Sequence, residues 1–132
     1  MERSRIVRAQ EFLRTNRVSF SVSADDYDLA LDVETLDIQD AFAIVHHRGR
    51  YTVIGKKRRG RYRLLTFEVK LPQDLIGFLA LVTDALAQVD VPVFVISSFE
   101  TDHILISKGD LSRAVEALEG IGMEYLDDSG RT

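Results

Sequence analysis

Val93-Phe94-Val95-Ile96-Ser97-Ser98-Phe99-Glu100-Thr101-Asp102-His103-Ile104-Leu105-Ile106 is the stretch on which the fold turns. Two apolar runs, each too short for a helix, flank a polar segment, which is the pattern of two buried strands joined by a turn. The continuous run Val93 to Ile96 predicts a strand covered on both sides or central in its sheet. Downstream, Asp110 is placed to cap a helix whose apolar stripe is Leu111, Ala114, Val115 and Leu118. Gly120 or Gly122 stops that helix before a last strand, Met123 to Leu126. Upstream, Leu75, Phe78, Leu79, Val82, Leu86 and Val89 recur at helical spacing behind Asp74, a good N-cap residue. Before them Leu65, Phe67, Val69 and Leu71 alternate with polar residues until Pro72, as in a strand with one buried and one wet face. The order is β-α-β-β-α-β, which predicts an α+β, ferredoxin-like unit: an antiparallel four-stranded sheet backed by two helices.

The first half is less regular. Residues 5–15 form a basic amphipathic pattern, Val18 to Val22 alternate as a strand, and Asp25, Asp26 and Asp28 suggest a loop. Phe42-Ala43-Ile44-Val45 and Tyr51-Thr52-Val53-Ile54 read as a hairpin turning at Gly49. The expected division is an abbreviated half with an N-terminal helix over residues 1–60 and a complete unit over residues 61–132, with Lys56 to Arg61 as the boundary.

A length of 132 residues allows one domain or two very small fused ones. Apolar residues make up 45 % and charged residues 29 %, enough to bury a core. No apolar run reaches the ~18 residues that cross a bilayer, and Met1-Glu2-Arg3-Ser4-Arg5 is unlike a signal peptide, so a cytoplasmic protein without a membrane partner is expected. The absence of cysteine removes disulfides, thiol nucleophiles and thiolate metal sites. The net charge of −4 conceals an asymmetry: residues 1–63 carry 13 basic against 9 acidic side chains, and residues 64–132 carry 4 against 12. A basic first half could meet an anionic partner, but the acidic whole weakens attraction to nucleic acid at long range.

Lys56-Lys57-Arg58-Arg59-Gly60-Arg61-Tyr62-Arg63 is the most conspicuous charge feature. It could grip phosphates or stack a base, yet without a groove motif it reads first as a solvated connection between two β segments. His46 and His47 are adjacent and point to opposite faces of a strand, and no H-E-x-x-H or H-x-x-E-H spacing occurs, so no metal site is expected. Ser97, Asp102 and His103 hold the letters of a hydrolytic triad without the G-x-S-x-G elbow, and no catalytic residue and no cofactor is assigned. Two segments suggest a small-ligand site. One is Pro72 to Gly77, where a strand feeds a helix N-terminus whose free N–H groups suit an anion; the other is the polar turn Ser97 to Asp102. Helix capping and an ordinary hairpin loop explain the same residues without a ligand.

Residues 91–106, followed by Asp110-Leu111 and Ala114-Val115 to Leu118, resemble the ACT domain of the CASTOR-like type, with its "I-F-x-I-S-T-[YF]-x-T-D-[YH]-x-L-V" hairpin and "D-L-x-x-A-x-x-x-L" helix. Leu75-Ile76-Gly77-Phe78-Leu79-Ala80 is similar to the family's "L-T-G-[IV]-L-A" helix start, and Phe42 to Val45 with Val53-Ile54-Gly55 resembles the hairpin of small proteins built from two ACT-like halves. The resemblance spans residues 18–126 and is most specific over 92–118. It implies the β-α-β-β-α-β fold and binding of a free amino acid as an allosteric signal. The implied ligand-binding residues are Asp74, Ile76, Gly77, Ser97, Ser98, Phe99, Thr101 and Asp102, with N–H groups near Gly77 facing the carboxylate and Asp102 the ammonium. The expectation is a non-enzymatic regulatory module, a homodimer with a possible regulated protein partner and with nucleic acid disfavoured. The alternative is a ligand-free dimerisation module.

Overall fold

The computed structural model describes residues 2–33, 41–68 and 75–126. In chain order the elements are α1 (Glu2–Thr15), β1 (Ser19–Val22), β2 (Tyr27–Val33), β3 (Ala41–His47), β4 (Arg50–Lys56), β5 (Tyr62–Phe67), α2 (Phe78–Gln88), β6 (Phe94–Ser97), β7 (Asp102–Ser107), α3 (Leu111–Gly120) and β8 (Glu124–Leu126). Among the described residues three α-helices and one mixed, mainly antiparallel sheet make the fold α+β. No helix among the described residues is long and apolar enough to cross a membrane.

β5, α2, β6, β7, α3 and β8 follow the expected order, but the sheet is built differently from the expected four strands. β7 pairs antiparallel with both β5 and β6. β5 and β8 do not meet, because β1 lies between them, antiparallel to β5 with Phe20 opposite Phe67, and parallel to β8 with Ser19 opposite Glu124. Phe20 supplies the reason: it is fully buried and its ring stacks on Tyr125 of β8 at 5.5 Å. The helix layer therefore has three members, since Ala9 and Leu13 of α1 are buried and Leu13 joins the core of Phe20, Leu65, Phe67, Val82 and Ile104.

β5 departs from the one-wet-face expectation. Leu64 and Leu65 point to opposite faces, yet both are buried. Leu65 meets the helices, while Leu64 and Leu105 form a second small core with Tyr27 and Ile54. That second core exists because β2, β4 and β3 form a wing that curls over the face opposite the helices. Tyr27 pairs with Tyr62 of β5, and β4 then joins β2 to β3. β2 itself is a correction, because its acidic start had suggested a loop. The β3–β4 hairpin is as expected and turns at Arg48-Gly49, both with positive φ. β6 is the opposite of the expected central strand: among the described residues it pairs only with β7, and Phe94 and Val95 are 45 % and 39 % exposed.

The junction of wing and body is a bulge. From Val22 to Tyr27 the chain advances five residues while β5, from Leu65 to Tyr62, advances three. The bulge carries Asp25 and Asp26, Asp28 follows on β2, and each meets a cation: Asp25 with Lys56 at 3.2 Å, Asp26 with Arg63 and Lys108 at 2.8 Å each, and Asp28 with Arg61 at 2.7 Å. Hydrogen bonds from Lys108 and Arg63 hold the Asp26 carboxyl below its usual range, and those from Arg61 do so for Asp28, against a smaller opposing effect of burial in each case. Behind them the β4–β5 turn is fixed by the Lys57 amide donating to the Asp26 carbonyl and the Gly60 amide donating to the Lys57 carbonyl. Gly60 sits so close to β2 that a Cβ would lie 2.3 Å from the Tyr27 carbonyl oxygen.

The helix ends also correct the sequence reading. α2 starts at Phe78 with Gly77 as its N-cap, not at Leu75 behind Asp74; Asp74, like Val69 and Leu71, lies outside the described residues. Asp110 does occupy the N-cap position of α3, but its side chain makes no cap hydrogen bond and pairs with Arg113 instead. Gly120 is the last residue of that helix, and Gly122, at φ 103°, takes the left-handed step beyond it.

Three substitutions test this account by urea unfolding. Phe20→Ala, which removes the buried anchor of β1, should cost about 3–5 kcal/mol. Gly60→Ala, which drives a methyl into backbone, should cost about 1–3 kcal/mol. Replacing the exposed Lys57, Arg58 and Arg59 together with Ser should change stability by no more than about 0.5 kcal/mol.

Candidate functional site

The β6–β7 turn gathers five of the eight residues expected at a ligand site. The Ser98 amide donates to the Thr101 carbonyl at 2.9 Å, closing the turn, and its hydroxyl donates to the same carbonyl at 3.0 Å. Ser97 donates its hydroxyl to Asp102 Oδ1 at 2.6 Å, as direct strand partners allow. Thr101 donates to the Phe67 carbonyl at 2.9 Å, tying the turn to the end of β5. Phe99, at the tip, is 97 % exposed.

The second expected segment lies on the other side of the same strand end. Phe67, whose carbonyl receives Thr101, packs its ring edge-to-face on Phe78, the first residue of α2, at 5.3 Å. Gly77 precedes it at φ 99°, a left-handed conformation that a side chain would strain. Ile76 is exposed and lines a cleft of about 160 Å³ with Leu75, Arg5 and Arg8. Thus Ile76 and Gly77 are linked to the polar turn through the Phe67–Phe78 contact, and Asp74 is outside the described residues. The two arginines were not among the expected residues. Their signal was present, since positions 5 and 8 share one face of the basic N-terminal helix.

His103, weighed only as a letter of a triad, was not among the expected ligand residues. It is 8 % exposed, with Nδ1 at 2.9 Å from the Thr66 hydroxyl and Nε2 at 2.9 Å from the Ser98 hydroxyl. The neutral ring that burial favours bridges the two hydroxyls, donating from one nitrogen and accepting at the other. Phe42 of the wing packs edge-to-face on it at 4.9 Å. Burial lowers the pKa of His103, opposed by the weaker pull of Asp102 and Glu68 towards the charged form. The residue thus joins the polar turn, β5 and the wing. Asp102 and His103 point apart, one to Ser97 and the other to Ser98, so the letters of a triad do not converge. Among the described residues no group of three His, Asp or Glu side chains could hold a metal ion.

With this geometry in view, the class of fold is an α+β sheet backed by helices, and residues 58–120 match the family model of the ACT domain. The match contains the polar turn, Ile76 and Gly77. No curated protein matches the chain. Solved structures share the fold, two bacterial proteins among them. Protein Atu0741 from Agrobacterium tumefaciens aligns with a TM-score of 0.72 at 18 % identity, covering 89 % of this chain and 98 % of that one. VC0802 from Vibrio cholerae, a protein of unknown function described as a possible transport protein, aligns with a TM-score of 0.71 at 20 % identity, covering 89 % and 96 %.

The buried neutral imidazole sets a pH dependence. Its folded pKa lies below the unfolded value of 6.5, so its contribution to stability is complete above that pH and is lost as pH falls below it. The melting temperature should therefore begin to drop below about pH 6.5, and His103→Gln should remove that first step. The Asp26 and Asp28 contribution, present above their unfolded value of 3.8, should fail only at lower pH. Thermal melts across the acid range check both.

Proposed function

We propose that this chain is a non-catalytic regulatory module that binds a free amino acid and signals through contacts with a second copy or a regulated partner. The observation that carries the reading is the ACT-domain match over residues 58–120, which encloses both segments of the candidate site. Chemistry supports it. A zwitterion needs cations or N–H donors at one end and a carboxylate at the other. Arg5 and Arg8 line the cleft at Ile76 beside the Gly77 cap, and Asp102 lies in the turn joined to that cap through Phe67 and Phe78. In this proposal the arginines and the N–H groups near Gly77 take the carboxylate, and Asp102 takes the ammonium. Ser97, Ser98 and Thr101 hold the turn in shape, and Phe99 offers apolar surface to the ligand or the second copy. The division into an abbreviated ACT-like half over residues 1–60 and a complete ACT domain over residues 61–132 belongs to the same proposal, as does a cytoplasmic location.

A second reading, a ligand-free dimerisation module, is favoured by two observations. Ser97, Ser98, Thr101 and Asp102 already have partners within the chain. Among the described residues β6 is a free edge carrying exposed Phe94 and Val95, which a second sheet edge could cover.

A panel of the twenty amino acids read by melting temperature separates the two. A cognate ligand raises it with concentration, and no response to any of them rejects the sensing role in favour of dimerisation. For a responding amino acid, Asp102→Asn keeps the acceptor for Ser97 but loses the charge, so binding should weaken by about 1.5–3 kcal/mol with little change in stability. Equal affinity by calorimetry would reject Asp102 as the ammonium partner.

A further inference from the structure

The basic run resolves into two sets of side chains. Lys56, Arg61 and Arg63, with Lys108 from beyond β7, are engaged by Asp25, Asp26 and Asp28. Lys57, Arg58 and Arg59 stand between them, exposed, with no ion pair or hydrogen-bonded side-chain partner among the described residues. They are not on a loose loop. The turn is closed by the Gly60 amide on the Lys57 carbonyl and fastened to the bulge by the Lys57 amide on the Asp26 carbonyl. Arg59 is held at φ 60°, and Gly60 is pressed against the backbone of Tyr27. Three like charges on consecutive residues of a fixed turn repel one another, and nothing described in the chain relieves them.

Beside them is a cleft of about 470 Å³, walled by the turn on one side and by Ala24, Asp25 and Asp26 on the other. Its volume is that of a small-ligand site. The two carboxylates in its wall do not make it acidic, because Asp25 faces Lys56 and Asp26 is bracketed by Arg63 and Lys108. No aromatic side chain lines it, so it offers nothing on which a base could stack.

We propose that Lys57, Arg58 and Arg59 form the binding site of a compact polyphosphate anion seated in this cleft. Arginine forks match phosphate oxygens in pairs, the lysine supplies a point charge, and an anion bearing several phosphates satisfies all three. A compact ligand fits better than a nucleic-acid strand. The chain carries a net charge of −4, so a long polyanion meets repulsion beyond the turn that a short one avoids. This site is separate from the proposed amino-acid site and does not depend on it.

Sodium tripolyphosphate is the probe, with sulfate and sodium chloride at matched ionic strength as references, read by melting temperature and by calorimetry on the full chain. Tripolyphosphate should stabilise the protein where the references do not. The variant Lys57→Ser/Arg58→Ser/Arg59→Ser should melt like the wild type without ligand and bind tripolyphosphate at least about ten-fold more weakly, equivalent to ~1.4 kcal/mol. Asp102→Asn should leave the tripolyphosphate response intact. Equal stabilisation by matched salt, or an unchanged affinity in the folded triple variant, overturns the proposal. So does an affinity for single-stranded oligonucleotides that exceeds that for tripolyphosphate and grows with length, which would assign the turn to a nucleic-acid backbone.

Discussion

Strand β1 is hydrogen-bonded along both edges, and this four-residue segment organises the molecule. The Glu68 amide donates to the Ser19 carbonyl on one side and the Glu124 amide to the Val18 carbonyl on the other. Unpaired backbone in that position would be costly, so once Phe20 and Val22 are drawn under the helices the strand needs a neighbour on each edge. β5 and β8 provide them. Everything on the helix side follows: α1 is delivered to the same layer as α2 and α3, and Phe20, Leu65 and Ile104 share one core. On the far side, the chain leaving β1 bulges between Val22 and Tyr27, meets β5 again at Tyr62 and passes into the wing.

That bulge explains why the acidic and basic residues of the first half occur together. The aspartates engage arginines and lysines from the start of β5, the end of β4 and the segment after β7, so one short stretch ties wing to body. Exposed ion pairs contribute little singly, but this set acts with the Tyr27, Ile54, Leu64 and Leu105 core that it surrounds. His103 closes the other side of the same junction, under Phe42 and against the turn that holds Asp102.

Much of the architecture was legible in the sequence, and the failures have physical causes. The stripe of Leu111, Ala114, Val115 and Leu118 marks α3 because period alone specifies a helix with one buried face. An apolar run such as Phe94 to Ile96 cannot distinguish a central strand from an edge, since the distinction lies in what pairs with it. β2 was hidden by Asp28, which looks like a loop residue until Arg61 is seen to receive it; the alternation of Leu29, Leu31 and Val33 was the better guide. The insertion of β1 could not be read locally, because it depends on partners far along the chain. In the site, the turn residues were recognisable by type, whereas His103 and the pair Arg5 and Arg8 acquire meaning only through contacts across elements.

The pairing of β1 with β8 has a consequence for how the molecule comes into being. Ser19 and Glu124 are opposite one another, so the two edges that must meet are separated by the whole of the intervening fold along the chain. While the chain is being extended, β1 can settle against β5 and expose its other edge, with Phe20 still lacking the Tyr125 ring. Only when Leu126 has emerged is that edge covered. Closure of so long a loop is entropically slow, and the growing chain must carry an open, adhesive strand until β8 is made. A holding chaperone, or a second nascent chain, would find its opportunity in that interval.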